Sequence, residues 1–456
     1  MTAKPLNVLL DGFNLALEKG TGVATYGRNL SFICRDLGFQ TGILYGRPGV
    51  RAKSDLLTEV RFFDPHSANA SLPPVLDALN RVRPRLFGNR THRVPVRGEV
   101  ILNAQRAQLP HFDELWNSPD LYRIAEARFW LAGTMTNVRH AERVDIAHWT
   151  YPLPVRVPGA VNVYTMHDLV PLRLPYTTLD NKAYYLRLMR KLVETADHIV
   201  TVSQTSRDDI IRLLDCPAEK VTNTYQSVEI PRRLLDKNED QVRAEVEGAF
   251  GLPYKGYLLF FGAIEPKKNV GRLIEAYVAS GVEMPLVLIG SKAWKSEQEL
   301  RLLQRADRPA RAQTETATSA VDRVFHFDYA PFSLLVSAIR GARATIFPSL
   351  YEGFGLPVLE SMVLGTPVVT SGVGATAEIA GEAALLVNPY DPADIAAAMR
   401  AVASDDELAG RLSRSGLAQA ERFSPRVYAE RMKTLYGALA QSGGVISRSR
   451  EETSVL

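Results

Sequence analysis

The sequence predicts an α/β protein of two similar units joined by a linker, and three observations carry that prediction. A chain of 456 residues exceeds what one hydrophobic core organises, since domains average roughly 150 residues. Short apolar runs alternate along the chain with amphipathic helical patterns, as in parallel sheets with crossover helices. Charge accumulates around Pro231 over residues 230–240, as in a linker, and a second series of strand-like runs begins beyond it.

In chain order, Asn7-Val-Leu-Leu10 followed by Asp11 reads as a first strand, because the apolar run is too short and interrupted for a secretory signal. A turn containing Gly20 and Gly22 leads into a helix. A nicotinamide fingerprint needs Gly or Ala where Thr25 stands and an acid after the second strand, 41–46, which has none. Residues 47–140 are rich in Pro and Arg with scattered apolar positions, and helices are expected over 113–121 and 123–134. Strands follow at 144–149 and 160–169, the latter ending in His167-Asp168 at the carboxyl edge where open sheets carry function. A helix over 184–197, a strand over 198–203, a helix capped by Ser203 and a strand over 220–225 complete the first series.

The second series opens with a helix over 239–250 and a strand over 256–262, then Glu265-Pro-Lys-Lys-Asn269 and a helix over 270–277. A lysine between a strand and a helix N-terminus, such as Lys267 or Lys268, can add full positive charge to a diphosphate. A strand over 286–290, a charged helix over 295–305, a polar loop over 306–320, a strand over 324–330 and a helix over 332–342 follow. Gly372-Val-Gly-Ala-Thr-Ala377 matches a dinucleotide pattern only formally, with Glu378 expected to begin a turn. Helices over 393–402, 407–423 and 425–440 precede a polar tail.

The densest chemistry lies between Ser349 and Ser371. The apolar run 344–348 reads as a buried strand, the glycines permit a tight loop, and Pro357 suits the first turn of a helix that Gly365 ends. The N–H groups of Gly353, Phe354, Gly355 and Leu356 then open at a sheet's carboxyl edge, where α/β proteins hold phosphates. Glu352 in the loop and Glu360 a turn into the helix frame this spot. Carboxylates repel phosphate but accept two hydrogen bonds from a vicinal diol. Phosphate donors beside diol acceptors describe a sugar-nucleotide site.

The Glu352-x7-Glu360 spacing around Glu-Gly-Phe-Gly-Leu-Pro resembles the signature of the retaining glycosyltransferases of family 4, which have the GT-B fold. The resemblance implies two Rossmann-like domains facing across a cleft: an acceptor-side domain over 1–230 with an enlarged segment at 47–140, a sugar-nucleotide domain over 231–422, a helix over 423–440 crossing back, and a flexible tail over 441–456. By the same resemblance His167 reaches the transferred sugar, Gly22 lets the phosphates approach, and Lys268, with Lys267 beside it, binds the diphosphate. His167, Glu352 and Lys268 are thus the expected catalytic residues. Gly22, Lys267, Lys268, Gly353, Phe354, Gly355, Leu356 and Glu360 are the expected donor-binding set. Many relatives write Pro-Asn-Gly where this chain has Tyr225-Gln226-Ser227.

The expected activity is transfer of a hexose, mannose first, from a nucleotide-diphosphate sugar to a growing glycan or lipid-linked acceptor in bacterial surface polysaccharide synthesis. GDP-mannose leads as donor, with UDP- and dTDP-sugars next. A same-fold epimerase or phosphorylase and a non-catalytic sugar-nucleotide-binding subunit stay open. No cofactor is called for, and with no Asp-x-Asp in the chain no metal is expected.

Bulk properties narrow the partners. With 46% hydrophobic and 23% charged residues and no apolar run of membrane-spanning length, a cytoplasmic protein is expected. Cys34 and Cys216 lie far apart without a Cys-x-x-Cys pair, so neither a disulfide framework nor a zinc site is indicated. Residues 81–97 hold Arg81, Arg83, Arg85, Arg90, Arg93 and Arg97 without an acid. That run is either a solvated face or a peripheral contact with an anionic membrane. Nucleic acid is not expected, since no aromatic-interleaved basic motif accompanies it.

Overall fold

The computed structural model describes residues 5–16, 22–64, 89–100, 109–303 and 320–453, with 443–453 as backbone alone. Gly20, Arg81, Arg83, Arg85 and most of the polar loop at 306–320 lie outside the described residues.

The first sheet comprises β1 (Asn7–Asp11), β2 (Gln40–Tyr45), β4 (His92–Val94), β5 (Glu114–Asn117), β7 (Ile146–Trp149), β9 (Val161–Thr165), β10 (His198–Thr201) and β11 (Val221–Asn223), in spatial order β11-β10-β9-β7-β1-β2-β5-β4. Every pairing is parallel except that of β4 with β5. A small sheet joins β3 (Asn89–Arg90), β6 (Thr136–Arg139) and β8 (Val155–Arg156). The second main sheet is wholly parallel. It contains β12 (Leu258–Phe261), β13 (Leu286–Ile289), β14 (Val324–Phe327), β15 (Ala344–Phe347), β16 (Val368–Ser371) and β17 (Leu385–Val387), in the order β14-β13-β12-β15-β16-β17. Strand order reverses between β12 and β15. Loops leaving the carboxyl ends of those neighbours diverge to opposite faces and leave a crevice.

These strands form where the apolar runs are fully covered: β12, β13, β15 and β16 are buried at every residue. Such strands read as continuous apolar runs because helices cover both faces of a parallel sheet. The helices start at legible caps. Ser203 accepts from the Ser206 N–H, Asn181 from that of Tyr184, and Asn238 closes a reciprocal capping box with Gln241.

The structure corrects four local expectations. The helix expected over 113–121 is β5, because Leu115, Trp116 and Asn117 are buried beside β2; the helix Leu121–Ala132 follows it. Of the charged helix expected over 295–305, the described residues are helical only over Ser296–Glu299, after Lys295 in the left-handed region at φ 55. Glu378 lies in a helix, Gly374–Ala380, rather than a turn. The last helix runs Pro425–Thr453, well past residue 440.

That last helix lies against the first sheet although it follows the second in sequence. Tyr436 Oη is 2.5 Å from His148 Nδ1, whose Nε2 is 2.7 Å from Thr165 Oγ1, which is in turn 3.0 Å from Tyr26 Oη, all in the interior. Such a buried network holds only when its members pair, and here it ties the helix to β9, the strand that leads to His167. The turn at Tyr225 packs on the same helix. Tyr225 takes φ 58, and the Arg431 guanidinium lies 4.7 Å from its ring centroid.

Among the described residues no helix is long and apolar enough to cross a membrane. Cys34 and Cys216 are free and buried. Arg93 pairs with Glu114 at 3.2 Å and Arg97 with Asp55 at 3.4 Å, while Arg90 ends β3.

Candidate functional site

The two carboxyl edges meet at Gly353. A Cβ there would lie 2.6 Å from the His167 carbonyl oxygen and 2.9 Å from Asp168 Cβ, so only glycine allows this approach. Ser206 Oγ spans the join, donating to the His167 carbonyl at 3.0 Å and to that of Gly353 at 3.3 Å. Gly22, at the start of the helix Gly22–Asp36, faces Leu356, whose Cδ1 would be 3.4 Å from an added Cβ. Loop residues expected on both sides of a cleft therefore share one place.

Adjacency of β12 and β15 gathers the charged groups. Lys268 Nζ is 2.5 Å from Glu352 Oε1, and Lys267 Nζ is 3.9 Å from Oε2 of the same carboxylate and 3.6 Å from Glu265 Oε1. Asn269 holds the turn between β12 and the helix Val270–Ser280. It adopts φ 63, and its side-chain amide donates to the carbonyls of Pro348 and Pro389 at 3.0 and 2.7 Å. The Leu350 N–H donates to the Lys267 carbonyl at 2.8 Å, joining the lysine loop to the glycine loop.

Electrostatics follows from this packing. Burial would raise the Glu352 carboxyl, but the charges of Lys268 and Lys267 outweigh it and hold it below its ordinary value. Burial would lower Lys267, and Glu352, Asp168 and Glu265 together keep it above the usual ammonium range. Glu360, half-buried in the helix Leu356–Val363, is pushed up to about 7 by burial, with only Lys268 opposing. Two carboxyls eight residues apart in sequence are thus set differently: Glu352 is held ionised by its lysines, whereas burial brings Glu360 to about 7.

Gly355 opens that helix at φ 103, and an added Cβ would meet Thr376 Cγ2 at 3.2 Å. Among the described residues the N–H groups of Gly353, Phe354, Gly355 and Leu356 meet no acceptor. They can hold an oxyanion beside the Lys268 ammonium.

On the facing edge, His167 Nε2 is 2.9 Å from the Thr150 carbonyl. A carbonyl only accepts, so Nε2 carries the proton and Nδ1 is the acceptor. Burial lowers the His167 pKa against the Thr150 bond and Asp168, which favours that neutral form. Buried Asp11 supports the arrangement by accepting the N–H of Thr150, and burial pushes its carboxyl up to about 6. Tyr26 packs edge-on against the imidazole at 4.8 Å between centroids.

Several groups here escaped the sequence pattern. Asp168 could have been suspected from its place after His167. Asp11 and Thr150 act only through the sheet that brings their loops together. Two further contacts cross between the halves. Tyr351 Oη donates to Asp209, which also holds Arg173 and Arg212, and Glu378 accepts from Gln204 N at 2.7 Å and from Thr205 N and Oγ1 at 3.0 Å. Among the described residues no three His, Cys, Asp or Glu side chains group as a metal site would.

Two mainly parallel sheets with apposed carboxyl edges, and lysines and carboxylates gathered where those edges meet, have the architecture of the GT-B glycosyltransferases. The sequence profile for glycosyl transferases group 1 matches residues 252–419, and that for glycosyltransferase family 4 matches 99–230. The chain is 32% identical over 280 residues to the O-antigen chain mannosyltransferase B of Escherichia coli, covering 60% of this chain and 68% of that one. It is 29% identical over 268 residues to a serotype-specific mannosyltransferase, WbdA, of the same organism, covering 58% of this chain but only 31% of that longer protein. Among solved structures, sucrose-phosphate synthase from Thermosynechococcus elongatus superposes with a TM-score of 0.63 at 17% identity, over 96% of this chain and all of that one (100%). The chain belongs to the family 4 glycosyltransferases.

Proposed function

We propose that the chain transfers a mannosyl group with retention from a nucleoside-diphosphate sugar, GDP-mannose first, to a growing glycan or lipid-linked acceptor in surface polysaccharide synthesis. The observation that carries this reading is the convergence at one seam of Lys268, Lys267, Glu352 and the Gly353–Leu356 N–H groups from one sheet with His167 from the other. The names of the mannosyltransferase relatives support the sugar and the pathway.

In this mechanism the diphosphate lies over the glycine loop, with Lys268 and Lys267 as its counter-charge. Its negative charge grows as the glycosidic bond breaks, so these contacts strengthen in the transition state. Lys268 then exchanges Glu352 for phosphate, and Glu352 turns to the sugar hydroxyls. His167 Nδ1 accepts from another sugar hydroxyl, and Glu360 accepts the ribose diol. The acceptor oxygen bonds to the anomeric carbon on the face the phosphate leaves and gives its proton to the departing phosphate oxygen, which retains configuration.

We assign residues 1–230 to the acceptor side, 231–422 to the donor side and 423–440 to the crossing helix, a division supported by the two sheets drawing their strands from 7–223 and 258–387. A cytoplasmic location with peripheral membrane contact through residues 81–97 belongs to the same reading, since the Arg93 and Arg97 side chains stay 60% and 59% exposed despite their acidic partners. The test is a panel of GDP-, UDP-, dTDP- and ADP-sugars, first by thermal shift and then with glycan acceptors, the product anomer being read by NMR. Inversion, hydrolysis without transfer, or no stabilisation by any nucleotide sugar would sink the proposal.

A further inference from the structure

A second cavity, of 740 Å³, lies in the first half between the helices Leu121–Ala132 and Lys182–Thr195. It is lined by aromatic rings, with Phe13 and Tyr151 stacked at 5.8 Å between centroids and Trp130 on its rim, 61% exposed. Four charged or amide side chains, Arg123, Glu126, Asp180 and Asn181, share the lining; Arg123 pairs with Asp120 at 2.9 Å, and Asn181 accepts the Tyr184 N–H at 3.0 Å.

Two links join this cavity to the seam. Tyr151 follows Thr150, whose carbonyl accepts the hydrogen bond from His167 Nε2, and Tyr185 in the cavity wall donates to the Asp168 carbonyl at 2.9 Å. Yet its walls include none of His167, Lys268, Glu352 or Gly353 among the described residues. A molecule reacting at the seam could extend into it, but the reacting atoms would lie outside.

The chemistry of the lining selects the occupant. An alkyl chain laid past the exposed Glu126 and Asp180 would return no hydrogen bond for the water it displaces, at a cost of order 1–3 kcal/mol for each group desolvated. An anionic headgroup would meet two carboxylates against one cation, Arg123, which Asp120 already pairs at 2.9 Å, and the field of those carboxylates raises the neighbouring Tyr151 phenol behind the effect of its burial. A neutral, hydroxyl-rich ring with apolar faces satisfies both halves of the lining: rings of Phe13, Tyr151 and Trp130 cover its C–H faces, and the acids and amide accept or donate at its edges.

We propose that this cavity is a distal acceptor subsite, holding saccharide units that lie behind the accepting sugar and making the enzyme sensitive to acceptor length. The inference rests on the glycosyltransferase reading and adds to it a neutral saccharide as ligand.

The test uses the full chain and methyl glycosides of mannose, glucose and N-acetylglucosamine oligomers of one to four units, with a dodecyl monoglycoside as the apolar-tail control. In calorimetry, affinity should rise at least tenfold from one unit to three for one of these series, and the same ratio should appear in kcat/KM for transfer. Trp130→Ala and Asp180→Asn, the first at an exposed rim position, should collapse the three-to-one ratio toward unity. A ratio near unity in the native chain, equal losses at every length, or a Trp130-dependent gain from the dodecyl tail alone overturns the subsite. Length-dependent binding without transfer sinks only the transferase reading, and transfer without length dependence sinks only the subsite.

Discussion

The two sheet edges that meet at the seam are built by opposite means. On the second sheet, two segments of a few residues each, one after β12 and one after β15, supply both lysines, both glutamates and the glycine loop. On the first, the groups near His167 come singly from five places: Asp11, Tyr26, Thr150, Asp168 and Ser206. A diphosphate is gripped by backbone N–H groups and point charges, which a contiguous loop can carry. A saccharide with several hydroxyls and two faces needs side chains from many directions, and only the assembled sheet brings them together.

The comparison breaks most sharply at Lys268. If the second edge works through charge, Lys268→Ala should lower kcat by about 10²–10³, the usual scale for removing a preorganised group that stabilises developing charge, while donor KM moves little. The same change strands buried Glu352 with Lys267 alone, 3.9 Å away, so thermal stability should fall too, by roughly 3–5 kcal/mol. Steady-state kinetics beside a melting curve separates these effects. A variant that loses donor affinity but keeps its kcat would show that the lysine serves binding only.

Gly353→Ala tests whether the edges must touch. The added methyl would sit 2.6 Å from the His167 carbonyl, and neither backbone can yield without parting the halves. Misplacement by about 1 Å costs roughly 10²-fold in rate, so a folded variant should lose activity on that scale. Unchanged kinetics would mean that the reacting arrangement is more open than the one described here.

Glu360 sharpens the contrast between the two carboxyls. Burial holds its folded value near 7, above that of the unfolded chain. Ionising it therefore opposes folding: this contribution worsens as pH climbs from the unfolded carboxylate range through 7 and is constant above. Glu360→Gln should accordingly raise stability at pH 8 and leave it nearly unchanged at pH 4. If the ionised form accepts the ribose diol, native donor KM should fall about tenfold between pH 6 and pH 8, and the Gln variant should lack that slope. Parallel pH profiles for the two proteins would remove Glu360 from donor binding.

Legibility in the sequence tracked this division. The strands of the second sheet stood out as continuous apolar runs, and the glycine loop, Lys268 and both glutamates are near neighbours in sequence. The cavity beside Tyr151 could not be seen, because Phe13, Trp130, Tyr151 and Asp180 are scattered over some 170 residues. Strand β5 was misjudged for a related reason: four residues between loops do not reveal whether their apolar side chains repeat with period two or 3.6.

The smallest effect concerns Glu378, the residue whose helix was mistaken for a turn. Its carboxylate caps the helix Gln204–Leu214 from the opposite half, accepting three hydrogen bonds at that helix's positive end. An anion in this position stabilises by about 0.3–1 kcal/mol when partly exposed. Ser203 already satisfies one of the orphan N–H groups from within the first half, by accepting from Ser206, so removing Glu378 should not unravel the helix. The energy instead concerns how firmly the halves are held together. Glu378→Ala should therefore shift the closed-to-open ratio about fivefold or less, visible as a small rise in radius of gyration by solution scattering without ligand. Saturating donor should erase the difference if phosphate and sugar contacts dominate closure. If the difference persists with donor bound, the capping carboxylate rather than the donor sets the geometry of the seam.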